Sequence, residues 1–321
     1  PGPFENAIRD GYKLVDDHIG RLMAQLPSDA STIVMSDHGF GPLQNMVNLN
    51  VFFMDKGLMK LKKDPWTQLK ALAFRRGITP SAAYQMIVKM GMQNVTARVS
   101  KQTRNGVIGR FLSFDSVDWE RTVAYSMGHV GQVYLNMAGR EPHGIVQPHE
   151  YQQTRQRVID ALGELTDENG RPILSRVIAG DEAYHGPYAT RGPDLHLVLD
   201  DYNMIACPLF ATEGKVITSQ IRGDSGCHRS EGIFLSQGPG IKSGVQLPEN
   251  QISDLAPTIL HHLGEAVPKV MDGRVLSEIY EQPQQVTFDD QTQENDVVPE
   301  QEFSQDEAEQ VEDRLRGLGY L

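Results

Sequence analysis

Five residues, Ser31-Thr-Ile-Val-Met35, constrain the fold more than any other stretch of the chain. Successive β-branched and apolar side chains leave no face to turn toward water, which predicts a strand covered on both sides in a mostly parallel sheet. A turn, Pro27-Ser28-Asp29, precedes the strand, and before that turn Ile8, Tyr12, Val15, Ile19, Leu22 and Leu26 recur at three- and four-residue steps. That spacing puts them on one face of a helix that ends before Pro27, and the stripe is expected to pack into a core. Helix, short turn and buried strand make half of a βαβ unit, so the fold class is α/β.

From 47 to about 103 the pattern changes to helical pieces rich in Lys, Met and Leu, with Thr79-Pro80 as a helix start. Residues 47–118 are therefore expected to form a helical cap inserted between a first core segment, 1–46, and a second, 119–280. Within the second segment, strand signals stand at Thr122-Val-Ala-Tyr125, Gln132-Val-Tyr-Leu-Asn136, Leu195-His-Leu-Val-Leu199 and Gly232-Ile-Phe-Leu-Ser236. A helix is expected from 151 to 165, and Ser253 or Asp254 caps another that carries Pro257 in its first turn and stops at Gly264. Residues 281–310 hold eight Gln among acidic residues, so 281–321 is expected to be a flexible acidic tail. Val311, Leu315 and Leu318 would close it with a short helix.

The tail also explains the charge. The formal net charge is −12, but residues 281–321 contain twelve Asp and Glu against Arg314 and Arg316, a local −10 that leaves −2 on the other 280 residues. So neutral a body argues against a general nucleic-acid surface, which needs clustered Lys and Arg to offset phosphate charge. A small anionic substrate needs only a local positive centre, and bound cations supply one. No run approaches the ~18 apolar residues that span a bilayer. Cys207 and Cys227 form no CxxC pair, which speaks against a redox motif or a cysteine zinc site and suits a reducing compartment without establishing one.

Chemistry concentrates just past the first strand, in Ser36-Asp37-His38-Gly39-Phe40, where open α/β sheets gather their ligand-binding groups. With Gly39 freeing the backbone, Asp37 and His38 can converge on one cation, and carboxylate oxygen and imidazole nitrogen both suit zinc or manganese. His228, in Gly226-Cys-His-Arg229, lies on a second segment bordering a strand, although spacing alone does not link it to Asp37. Arg229 is a candidate bidentate donor to a phosphate, and His129, in Ser126-Met-Gly-His-Val130, a candidate for a pocket mouth. Asp254 and Asp272 read as cap and turn residues, His261 and His262 as the cationic end of a helix, and Asp194 has no partner visible in sequence.

Taken in order, Ser36-Asp-His-Gly-Phe40, Gly226-x-His-Arg229 with Gly232-Ile-Phe and Gly238-Pro-Gly-Ile241, Asp254-Leu-Ala-Pro-Thr-Ile-Leu260 and Met271-Asp-Gly-Arg-Val-Leu276 resemble the alkaline phosphatase superfamily. The branch most similar is the type I phosphodiesterase and nucleotide pyrophosphatase group, and the likeness extends to Tyr184-His-Gly-Pro-Tyr188 and to the ending Leu315-Arg-Gly-Leu-Gly-Tyr-Leu321. The resemblance implies a three-layer α/β/α sandwich with a mixed, mostly parallel sheet. It also implies two divalent cations, zinc or manganese, with Asp37 and His38 on one and His228 on the other, and a small phosphoester or nucleotide substrate. Phosphomonoester, sulfate ester, phosphonate or phosphoglycerate chemistry, or a non-catalytic interaction module, remain as alternatives. The family's Thr or Ser nucleophile and remaining ligands belong before Phe4, and Asp17 and His18 do not match their register. The chain is therefore expected to be the C-terminal portion of a catalytic domain, inactive by itself.

Overall fold

The computed structural model describes residues 2, 4–90, 111–208, 210, 214–219, 225–282, 285–289, 304, 307, 310 and 311. The chain divides into two compact units, Pro1–Asp37 with Ile233–Leu321, and His38–Gly232. The boundary falls on the Asp37-His38 peptide bond.

In the larger unit, a four-stranded sheet runs in the order β4 (Ala124–Ser126), β5 (Gln132–Leu135), β7 (Leu195–Leu199), β6 (Leu174–Ala179), every neighbour antiparallel. Against it packs α2 (Leu49–Asp55), whose Leu49, Val51, Phe52 and Phe53 are buried with Val133, Leu135, Leu195 and Leu197 of the sheet. Asn50 is fully buried on the same helix. Its amide donates to Ser126 O (2.9 Å) and Pro208 O (3.0 Å) and accepts from Ser126 N–H (2.8 Å), so a polar side chain inside the core is satisfied and fastens helix to strand. A second sheet places β3 (Asn45–Val47) between β8 (Met204–Ala206), parallel to it, and β9 (Ile217–Ser219), antiparallel. The two-stranded ribbon of β2 (Gly39–Pro42) and β10 (Gly226–Arg229) carries the candidate residues His228 and Arg229.

The expected helices α3 (Pro65–Arg75) and α4 (Pro80–Lys89) are present, α3 capped by Asp64, which accepts from Thr67 N–H at 2.9 Å, and α4 by Thr79, which accepts from Ala82 N–H at 3.1 Å. These helices lie in the same unit as α2, whose Leu49, Val51, Phe52 and Phe53 belong to that unit's core. Residues 91–110 of the expected cap, most of the acidic tail, and Leu315 and Leu318 of its closing helix lie outside the described residues.

The smaller unit contains α1 (Ala7–Met23), the antiparallel pair of β1 (Thr32–Met35) with β11 (Phe234–Gln237), and the parallel pair of β12 (Val267–Pro268) with β13 (Phe288–Asp289). Val267, Val275, Leu276, Ile279 and Tyr280 form its buried cluster, beside the helix Leu255–His262.

Two expectations are corrected. The sheets are mostly antiparallel, with β3–β8 and β12–β13 the parallel pairs among the described residues, because an apolar run encodes burial but not the direction of the neighbour that provides it. The α1 stripe is not core packing: Ile8 is 78% exposed, Tyr12 70% and Leu22 69%, and no residue of the helix is buried. Helical spacing decides which side chains share a face, not what covers that face.

Candidate metal and phosphate site

Strand alternation sets the geometry. In the β2–β10 ribbon His228 stands opposite Phe40 and Arg229 opposite Gly39. His38 precedes Phe40 by two residues and so shares its side of the strand. The ring of His228 accordingly meets both: its centroid lies 4.1 Å from that of His38 and 5.8 Å from that of Phe40. Cross-strand neighbours on one face of an antiparallel pair interact directly, and here that rule brings together two imidazoles 190 positions apart in sequence. Gly39 is required at the start of this ribbon. A Cβ there would fall on the backbone carbonyl oxygen of Glu231, inside van der Waals contact.

His38 is half-buried and His228 exposed. His38 Nδ1 lies 2.8 Å from Gly39 O, a distance at which the ring nitrogen donates its proton to the carbonyl. This assigns the lone pair to Nε2, the tautomer of an imidazole that binds a metal while its other nitrogen is held by the backbone. Two converging imidazoles, one held in this tautomer, fit a divalent cation. Among the described residues no group of three or more His, Cys, Asp or Glu that could hold a metal ion is present. Asp37 is exposed and is the last residue of the smaller unit, one peptide bond before His38.

Arg229 is held by its own protein. Its Nη1 donates to Tyr202 O (2.7 Å) and His228 O (3.1 Å), and its Nη2 to Pro42 O and to Asn203 Oδ1 (3.2 Å). The guanidinium thus ties β10 to the end of β2 and to the turn 200–203. That turn is strained: Asp200, Asp201 and Tyr202 all have positive φ (46°, 47° and 66°), a conformation rarely adopted by residues other than glycine. Asp200 is braced by Arg171 Nη1 at 2.6 Å, and Asp201 N–H donates to Ser175 Oγ at 2.9 Å. Sequence reading missed this turn. The pair Asp200-Asp201 was its one local signal, since Asp tolerates the left-handed region better than most residues.

Behind His228 opens a cavity of about 200 Å³ whose wall includes His129, Leu197, Tyr202, Met204 and His228. His129, expected at a pocket mouth, lines this one, with Nδ1 3.3 Å from Ala206 O.

The remaining candidates have structural surroundings. Asp254 is buried and accepts from Gln251 N–H (2.9 Å) and Arg274 N–H (2.8 Å), clasping two turns. Asp272, Asp17 and His18 are exposed. His262 Nε2 lies 2.7 Å from Ser31 Oγ and its ring stacks on Tyr280, while His261 meets Tyr280 edge-on. Asp194 does have a partner: Arg140 grips its buried carboxylate with Nη1 at 3.1 Å and Nη2 at 2.7 Å, and Leu135 N–H donates to it at 2.6 Å. Cys207 and Cys227 are buried and not joined in a disulfide, and burial pushes the Cys227 thiol up from its ordinary pKa.

Compared with known families, residues 1–207 match the model of type I phosphodiesterase / nucleotide pyrophosphatase, nearly two thirds of the chain. The matched stretch includes Asp37 and His38 and ends before His228. No curated protein and no solved structure matches the chain.

Proposed function

Since the chain belongs to the type I phosphodiesterase / nucleotide pyrophosphatase family, we propose that it forms part of a metal-dependent hydrolase of phosphodiesters or nucleotide pyrophosphates. Asp37, His38 and His228 are its metal ligands in this reading, and the fold to which it contributes is an alkaline-phosphatase-like α/β/α sandwich. The observation that supports the reading best is the 4.1 Å approach of the His38 and His228 rings. Nothing in the core requires two imidazoles to meet on an exposed ribbon, and their lone pairs are the commonest protein donors to zinc.

Two divalent cations, zinc or manganese, would neutralise phosphate charge and polarise a phosphoryl oxygen. The chain's own groups supply position. Gly39 O fixes the His38 tautomer, Phe40 packs against the His228 ring, and Arg229 locks β10 against β2 so that the two imidazoles hold their spacing. No residue of this chain is assigned as the nucleophile.

Zinc titration of the 321-residue chain followed by calorimetry tests the ligand assignment. Binding is expected to weaken at least tenfold in His38→Ala and again in His228→Ala, while His262→Ala leaves it unchanged. Equal binding in all three variants would overturn it. In the protein that carries this chain together with its Thr or Ser nucleophile, hydrolysis of a nitrophenyl phosphodiester is expected to depend on both His38 and His228.

A further inference from the structure

We propose that the cavity beside His228 receives the organic group of the phosphoester, and that its size selects a single aromatic ring or an apolar group of similar bulk. The proposal rests on the phosphoester reading above. His228 belongs to both places: it meets His38 on the ribbon and forms part of the cavity wall. The cavity and the pair of imidazoles thus share one residue of β10, which puts them close enough for one phosphoester to reach both. The rest of the wall is largely apolar, with Val130, Leu197, Leu199 and Met204. A phosphate has no use for such a surface, whereas a ring would exclude water from it.

Size narrows the class. Apolar cavities of about 150 Å³ take up benzene, and sites for larger ligands run to about 300 Å³ and more. At about 200 Å³ this one holds one ring with little to spare. Its shape is also held in place. At Gly131 (φ +75°) an added Cβ would run into Leu197 O, so backbone packs directly on backbone there. On the other side Tyr202 sits in the strained left-handed turn, and its carbonyl is gripped by Arg229, the residue next to His228. Cavity wall and imidazole are thereby registered to each other through one guanidinium.

The test is calorimetry of the 321-residue chain with zinc present, comparing phenylphosphonate with methylphosphonate, and toluene as an uncharged probe observed by NMR. Phenylphosphonate is expected to bind at least tenfold more tightly than methylphosphonate, from the apolar area a ring would bury. Toluene is expected to shift the signals of Val130 and Met204. Two variants at positions that are not fully buried follow: Ile205→Phe to fill the cavity and Val130→Ser to strip its rim, where Val130 is 56% exposed. Each is expected to cut the phenyl preference at least threefold and leave methylphosphonate affinity unchanged. Equal affinity for the two phosphonates, or a preference that survives both variants, would overturn the proposal and leave the phosphoester reading standing. Toluene binding with no binding of either phosphonate would overturn the phosphoester reading, and the proposal with it.

Discussion

Replacing Arg140 by Ala probes how the larger unit is held together, and its cost can be worked from the structure. Asp194 lies at the start of β7 with its side chain 4% exposed, and Arg140 covers it with two hydrogen bonds while its own side chain is 23% exposed. Arg140 Nη2 also donates to Leu135 O at 2.6 Å, so one guanidinium serves both the carboxylate and the β5 backbone. Truncation would leave a buried carboxylate without its cation, facing the Leu135 N–H and the Tyr151 hydroxyl. Breaking a buried pair from one side costs 3–5 kcal/mol. Because Arg140 is partly reached by water, the lower end applies, about 3 kcal/mol. Urea unfolding followed by far-ultraviolet circular dichroism would show this as a lower midpoint with an unchanged slope. The double variant Arg140→Met with Asp194→Asn, which removes both charges and keeps an acceptor for Leu135 N–H, is expected to recover more than half of the loss. A loss below about 1 kcal/mol for Arg140→Ala would refute the claim that this pair fastens the sheet.

Two glycines should respond with opposite signs. Gly39→Ala drives a methyl group into Glu231 O and is expected to destabilise by about 1–3 kcal/mol, with loss of zinc binding, whereas Gly20→Ala on α1 meets nothing within 4 Å and is expected to stabilise by about 0.5–1 kcal/mol, both read from thermal unfolding. Burial pushes the His196 imidazole below its ordinary pKa, beside the Tyr184 hydroxyl. The unfolded chain therefore binds the proton first, and stability falls as pH drops below about 6.5 until the folded ring also titrates. His196→Gln should flatten the dependence of the urea midpoint on pH in that window; an unchanged slope would count against it. Arg229→Lys keeps the charge but cannot reproduce the forked contacts to Tyr202 O, Pro42 O and Asn203. It is expected to weaken zinc binding several-fold, and full retention would show that charge alone suffices.

Local chemistry was legible in the sequence where it depends on local rules. Thr79-Pro80 could be read as a helix start because capping spans three residues, and Asp37-His38-Gly39 stood out as a candidate site because a strand end and a glycine adjoin it. His228 was beyond such rules. Its approach to His38 depends on which residue pairs with Phe40 across the ribbon, and that register is fixed by the folded chain. The antiparallel sheets were hidden for a related reason: Thr32–Met35 has the composition of a covered strand, but the orientation of Phe234–Gln237 beside it leaves no trace in either segment. The Asp194–Arg140 pair joins residues 54 apart, and the stretch Asp200–Tyr202 looks like an ordinary polar loop until its backbone angles are known.

Nitrogen-15 spectra of the imidazole rings during zinc addition test the shared site most directly. The account predicts that ring-nitrogen signals of both His38 and His228 move as metal is added, with those of His261 and His262 unmoved. A shift at His38 with His228 silent, or zinc uptake that touches neither ring, would contradict it.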